Sequence, residues 1–198
     1  MLSVSNVSEA SKALSYYKLD NYYSNDEQAL EDTEWYGKGA DNLNLIGSVE
    51  SDDFANLLNG KVGDQQLGRI RIDEDGNRYI EHRSAIDLTF SAPKSVSIMA
   101  EVYQNKDVLN AHIDAVKSTL DTIEKDYAKT RISSDGNRSV EDTENLIVAL
   151  FNHNTSRALD PQTHTHAVIM NMTKNSKDKW STISNESIYD AKALLGPI

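Results

Sequence analysis

From Thr163 to Met172 the chain alternates with period two, the pattern of a β-strand. Successive strand side chains point to opposite faces, so His164 and His166 share a face with Val168 and Met170. At ~3.3 Å per residue the two imidazoles stand about 7 Å apart along the strand and can lean toward a common point. A second apolar run, Leu146 to Phe151, ends next to His153, and a short segment carrying Asp160-Pro161 joins it to the histidine strand. A sheet that pairs these two runs can bring a third imidazole to the same centre. Three neutral nitrogens that leave coordination positions open suit a divalent cation acting as a Lewis acid better than a closed structural site.

A histidine in a strand is also commonly a satisfied structural residue, and both readings stand on spacing alone. The chain contains no Cys, so disulfides and thiolate ligands are excluded, and His and carboxylates must hold any metal. Its 198 residues suit one domain with a real core. Met1 to Ala10 lacks the charged start and apolar run of a secretory signal. No stretch approaches the ~20 apolar residues of a membrane span, so no membrane insertion and a bacterial, cytoplasmic setting are expected. The net charge of −11 speaks against a nucleic-acid partner, which normally meets a basic footprint. That charge is concentrated, however. Between Asp20 and Asp53 there are ten acids and one base, Lys38, whereas the remainder holds 19 bases and 21 acids and is nearly neutral.

Along the chain, Asn6 and Glu9 read as a capping box opening a helix through Ala10, Ala13, Leu14 and Tyr17. Tyr16-Tyr17 and Tyr22-Tyr23 form a doubled pair with four residues between, either lining a groove or supplying a phenolic nucleophile. Glu34 to Gly39 reads as a turn-rich segment with an exposed aromatic. Phe54, Leu57 and Leu58 follow Ser51 at helical spacing. Asp75-Gly76-Asn77 reads as the turn of a hairpin between Arg69–Ile72 and Arg78–His82. From Ser84 a strand sets Ile86, Leu88 and Phe90 on one face and Asp87, Thr89 and Ser91 on the other. It then meets Pro93, in the first turn of a helix whose start, with Lys94, can receive a phosphate or be a plain corner. A long amphipathic helix runs between Asp107 and Lys129 with His112 on its apolar stripe, as packing and not as a ligand. After a turn at Asp135-Gly136 come the two central strands, a short strand over Lys179–Ile183, and a last helix capped by Ser184 or Asn185.

Five stretches, in this order, carry a family resemblance: the doubled Tyr-Tyr motif, Trp35-Tyr-Gly-Lys-Gly-Ala, Asp87-Leu-Thr-Phe-Ser-Ala-Pro-Lys-Ser-Val-Ser, Phe151-Asn-His-Asn-Thr-Ser-Arg, and Pro161-Gln-Thr-His-Thr-His-Ala-Val. The chain resembles the relaxase domain of conjugative plasmid relaxase–helicases (the TrwC/TraI type, MobF class, within the HUH endonucleases). The resemblance implies an α+β fold: a central, mostly antiparallel sheet with helices against one face and the site on the open face. It implies one relaxase domain over residues 1–198, shortened at its C-terminal end and without the helicase region.

The implied activity is nicking and strand transfer at a plasmid transfer origin, through a 5′-phosphotyrosine link, to initiate conjugation. By position, Tyr16 becomes the nucleophile and Tyr22 the tyrosine of the second transfer, with Tyr17 and Tyr23 auxiliary. His153, His164 and His166 become the metal triad, Asp87 the essential carboxylate, and Lys94 and Arg157 DNA contacts. The implied cofactor is a divalent metal, magnesium or manganese, with zinc as the alternative. The implied partners are single-stranded and hairpin DNA, together with accessory relaxosome proteins and a coupling protein. The tyrosines precede the histidines, unlike the order in related rolling-circle initiators, and this favours relaxase. A non-catalytic origin-binding remnant and a small metallohydrolase using only the histidines are the rival readings.

Overall fold

The computed structural model describes residues 1–7, 33–134, 137–156 and 158–195. All four N-terminal tyrosines named above, and Arg157, lie outside them. In chain order the elements are β1 (Leu2–Val7), β2 (Thr33–Tyr36), α1 (Lys38–Asp41), α2 (Ser51–Leu58), β3 (Lys61–Val62), β4 (Gln65–Gln66), β5 (Arg69–Ile72) and β6 (Arg78–Glu81). There follow β7 (Ala85–Ser91), α3 (Lys94–Ser97) running into a π-helical turn (Ile98–Val102), α4 (Lys106–Tyr127), β8 (Lys129–Ser134) and β9 (Asn137–Asp142). The last are β10 (Val148–Thr155), β11 (Pro161–Met170), β12 (Thr173–Lys174), β13 (Trp180–Ser181) and α5 (Asn185–Leu195).

The α+β fold expected from the sequence is present. A five-stranded sheet has the order β1-β7-β11-β10-β2, with every neighbouring pair antiparallel. The histidine strand β11 is its middle strand. Strands this apolar on both faces must be covered on both. On one face Ile86, Leu88, Val148, Leu150, Ala167 and Ile169 pack against Val116, Leu120 and Ile123 of α4 and Ile188 and Ala191 of α5. On the other, Ala149, Phe151, Val168 and Met170 pack against Trp35 and against Phe54, Leu57 and Leu58 of α2. The second face, expected from the sequence to be open, is therefore covered over its apolar half. The apolar half of that face needs α2 as a cover, and the site occupies its remaining end.

Three local expectations need correction. Asn6 is not a helix cap, because it lies in β1 opposite Ile86. The helix expected after it falls outside the described residues. Trp35 is buried in edge strand β2 instead of exposed in a turn, since four residues are too short a run to show their alternation. Pro93 occupies the cap position before α3, not its first turn. The Trp-Tyr-Gly-Lys-Gly-Ala motif has a packing role here. Gly39 N donates to Leu146 O at 2.9 Å, and a Cβ on Gly37 (φ +96°) or Gly39 would stand 2.6 Å from that oxygen. Beside them the buried Glu124 carboxylate accepts from Lys38 N at 2.8 Å and Leu146 N at 2.7 Å, tying α4 to both segments.

Candidate metal centre

The register of the sheet assembles the histidines. His153 of β10 lies directly opposite His164 of β11, and His166 lies opposite Phe151 on one side and Thr89 of β7 on the other. All three imidazoles share the face of Phe151, Val168 and Met170. Ring centroids are 5.0 Å apart for His153–His164, 5.2 Å for His153–His166 and 5.3 Å for His164–His166. One ring nitrogen from each lies within 4.8 Å of the others. The β10–β11 register shifts just after His153, so the regular ladder ends at the site.

Hydrogen bonds set the ring tautomers. A carboxylate and a carbonyl can only accept. His166 Nδ1–H therefore donates to Asp87 Oδ2 at 2.8 Å, and His164 Nδ1–H donates to Gln162 O at 2.9 Å. Each ring, when neutral, thus keeps its lone pair at Nε2. Thr89 Oγ1 stands 3.3 Å from the same His166 nitrogen. Asp87 and His166 are only 4% and 5% exposed, so their contact is shielded from water. The His153 pKa is pushed down to about 3, first by burial and then by the neighbouring His166 and His164. A ring held neutral at ordinary pH is a ligand and not a cation.

The residues fit a divalent metal ion. His153 Nε2 is buried without any hydrogen-bond partner, which costs about 1–3 kcal/mol unless something else engages it. An orphaned imidazole nitrogen beside two rings with assigned Nε2 lone pairs is the donor set of an open three-histidine site. A carboxylate on the far nitrogen of a ligand is the usual means of fixing its orientation.

Of the residues expected from sequence, His153, His164, His166 and Asp87 converge. Lys94 lies elsewhere, at the start of α3, where its ammonium donates to Pro161 O at 3.0 Å at the head of β11. His112 is no ligand, as expected from its stripe, but it is more than packing, because its Nε2 stands 3.2 Å from Thr165 Oγ1. Thr89, and the Gln162 carbonyl that orients His164, were not legible beforehand. Cross-strand neighbours follow from register, and sequence spacing does not give register. The hairpin expected around Asp75-Gly76-Asn77 is present as β5 and β6, and the sequence pattern does not reveal its exposure. One face carries Arg69, Arg71, Tyr79 and Glu81, the other Ile70, Ile72, Ile80 and Arg78, and both are open to solvent.

Two buried histidines and one half-buried one on inner strands of an antiparallel sheet, with a carboxylate behind one of them, make a donor set that can hold a metal ion. Residues 9–198 match the TrwC relaxase family model, and the chain belongs to that family. It is 42% identical over 190 residues to the multifunctional conjugation protein TraI of Escherichia coli K12, covering 95% of this chain and 10% of that protein. It is also similar to the conjugative relaxase TrwC in complex with oriT DNA, metal-bound, with TM-score 0.84, 40% identity, and coverage of 100% of this chain and 66% of that one. TrwC complexed with a 27-mer DNA comprising the recognition hairpin and the cleavage site gives TM-score 0.82 at 38% identity, covering 99% of this chain and 64% of that one. The chain thus spans a tenth of the length of the curated relative and just under two thirds of the solved chains. Among the described residues, no helix is long and apolar enough to cross a membrane.

Proposed function

We propose that this chain is a DNA strand transferase. It nicks one strand at a plasmid transfer origin, inside a plasmid-bearing bacterium, and keeps the cut end as a phosphotyrosine. The carrying observation is the triad with its tautomers set: His153 buried and orphaned at Nε2, and His166 bonded at Nδ1 to Asp87. Solved structures of TrwC in complex with oriT DNA and with bound metal support the same reading.

In this reading the Tyr16 phenolic oxygen attacks the scissile phosphorus, the P–O3′ bond breaks in line, and the departing 3′ oxygen takes up a proton. The phenol proton leaves to solvent or to a nearby base as attack proceeds, since a phenol with pKa near 10 is weakly nucleophilic while protonated. Tyr22 performs the second, closing transfer, and Tyr17 and Tyr23 assist. Each exchange trades one phosphodiester for another of similar energy, so resealing needs no ATP.

A divalent ion, when held by His153, His164 and His166, supplies positive charge to the non-bridging oxygens of the phosphate. An all-imidazole donor set suits Zn²⁺ better than Mg²⁺ or Mn²⁺, both of which prefer oxygen ligands, so Mn²⁺ is the more weakly held probe. Asp87 holds His166 in the tautomer that leaves Nε2 unprotonated, and it acts as an orienter and not as the base. The β5–β6 ribbon has the dimensions that enter a major groove, and Arg69 and Arg71 on one of its faces suit a DNA hairpin. The acidic excess lies between Asp20 and Asp53 and leaves the rest of the chain nearly neutral, so the unfavourable net charge is confined to that stretch. Lys94 and Arg157 complete the proposed DNA contacts.

The test uses single-stranded oligonucleotides tiled across DNA flanking the gene, with Mn²⁺ present. An SDS-resistant protein–DNA adduct is expected, lost in Tyr16→Phe and in His164→Ala. Binding without adduct in the unsubstituted protein would overturn the nuclease reading, and an adduct surviving Tyr16→Phe would move the nucleophile to another tyrosine.

A further inference from the structure

Behind the triad, on the opposite face of the same strands, lies a second polar group that the proposed chemistry does not use. Thr165 sits between His164 and His166 in sequence, and Asn152 immediately precedes His153. Thr165 and Asn152 are register partners, one step from the His153–His164 pair. Their side chains point away from the ligands, to the face covered by α4. There Thr165 Oγ1 donates to Asn152 Oδ1 at 2.7 Å. Thr165 is 1% exposed, so its hydroxyl works without water. A hydroxyl has one proton, and this one is already given to Asn152. The 3.2 Å contact with His112 Nε2 must therefore be an N–H donated by the histidine to Thr165 Oγ1. His112 thus carries a proton at Nε2, and burial, followed by His164 and the N-terminal amine, lowers its pKa.

The direction of the chain is His112 Nε2–H to Thr165 Oγ1–H to Asn152 Oδ1. It links helix α4 to β11 and then to β10, directly behind the three ligands. Its position matters because the β10–β11 ladder becomes irregular between His153 and Thr155. From there the backbone alone holds the His153 side of the site less firmly. A cross-strand side-chain bond at the pair just before His153–His164, anchored on a helix, restrains the spacing of those two ligands.

We propose that His112 is a positioning residue of the metal centre, acting through Thr165 and Asn152 to hold the two ligand strands at the separation the triad requires. This rests on the metal reading given above. No contact between His112 and the metal or the DNA is needed.

The experiment uses the chelator-stripped protein with Co²⁺ as the probe. Binding is measured by calorimetry and by the visible d–d absorption of the bound ion, alongside thermal unfolding of the metal-free forms. His112→Leu keeps volume and removes the donor, and about a tenfold loss of Co²⁺ affinity with a changed d–d band is expected, at the low end of what outer partners of metal ligands contribute. His112→Gln places an amide N–H near the same point, and should restore affinity to within about twofold together with the unsubstituted spectrum. Thr165→Val removes the middle hydroxyl at constant shape and should repeat the His112→Leu result, which keeps the test decisive if His112→Leu does not fold. Co²⁺ affinity and spectrum unchanged in His112→Leu or Thr165→Val, even with a lowered melting temperature, would overturn the proposal and leave His112 as packing. No Co²⁺ uptake by the unsubstituted protein, or uptake undiminished in His164→Ala, would instead overturn the metal reading itself and this proposal with it.

Discussion

Asp87 can serve the site in two ways, as an orienter of His166 or as the acceptor of the tyrosine proton, and the structure supplies the magnitudes that separate them. Its Oδ2 takes the His166 Nδ1–H at 2.8 Å, with the two side chains 6% and 7% exposed. Its Oδ1 is buried and accepts nothing. Removing a hydrogen-bonding partner of a metal ligand costs 10–100-fold in affinity, about 1.4–2.7 kcal/mol. Because this bond is charge-assisted and dry, Asp87→Ala should lie at the upper end, about 100-fold. Asp87→Asn can turn its carbonyl oxygen to the same N–H, keep the tautomer and lose only the charge, so about tenfold is expected. The assay titrates Mn²⁺ into chelator-stripped protein, following binding by calorimetry and nicking by adduct formation. For an orienter, nicking by Asp87→Asn returns to within a few-fold of the unsubstituted rate once Mn²⁺ saturates. For a general base it stays lower by about 10²–10⁴ at any Mn²⁺ concentration, with affinity barely changed. Mn²⁺ affinities within twofold of unsubstituted in both Asp87→Ala and Asp87→Asn would refute the orienting role.

Glu124→Ala leaves the Lys38 and Leu146 amides without their acceptor, and at about 1–3 kcal/mol each should destabilise the fold by roughly 2–6 kcal/mol; a urea midpoint unchanged from the unsubstituted protein would remove Glu124 as the tie between α4 and the glycine motif. In the chelated protein, His153 stays neutral to about pH 3 whereas the unfolded chain takes up its proton near 6.5. Unfolding therefore consumes a proton between those values, so stability is full above 6.5 and is lost as pH falls, at up to about 1.4 kcal/mol per unit from this group; equal unfolding free energies at pH 7 and pH 5 would contradict the burial assigned to it. Arg69→Ala and Arg71→Ala should each weaken hairpin binding and lower the salt slope of log affinity by about one, leaving the nicking rate at saturating DNA intact; binding unchanged across salt would take the β5–β6 ribbon out of the DNA interface.

What was legible in the sequence and what was not divide along a physical line. The strands β7, β10 and β11 and the helix α4 could be read because each carries a long apolar pattern whose period is imposed by burial. His153, His164 and His166 could be read because they ride on those strands at positions of known facing, whereas Asp87 enters the site through the family resemblance. Strand β1 was missed because Asn6 and Glu9 imitate a cap, and nothing local reveals that Leu2–Val7 pairs with β7 at 2–7 against 85–90. The β8–β9 ribbon, Lys129–Ser134 with Asn137–Asp142, is not legible, since it is polar on both faces and so has no apolar alternation to detect, and the Asp135-Gly136 turn expected from the sequence lies outside the described residues. The same reason hides the parts of the site that make it selective. Thr89, the Gln162 carbonyl and the His112–Thr165–Asn152 chain matter through which atom lies across from which, and a one-residue slip in register would move every one of them to the wrong face. Ligand identity is thus a property of residue type and period, while ligand orientation is a property of register. A variant that leaves all three histidines in place but shifts β10 against β11 would keep the sequence signature of the family and lose the centre.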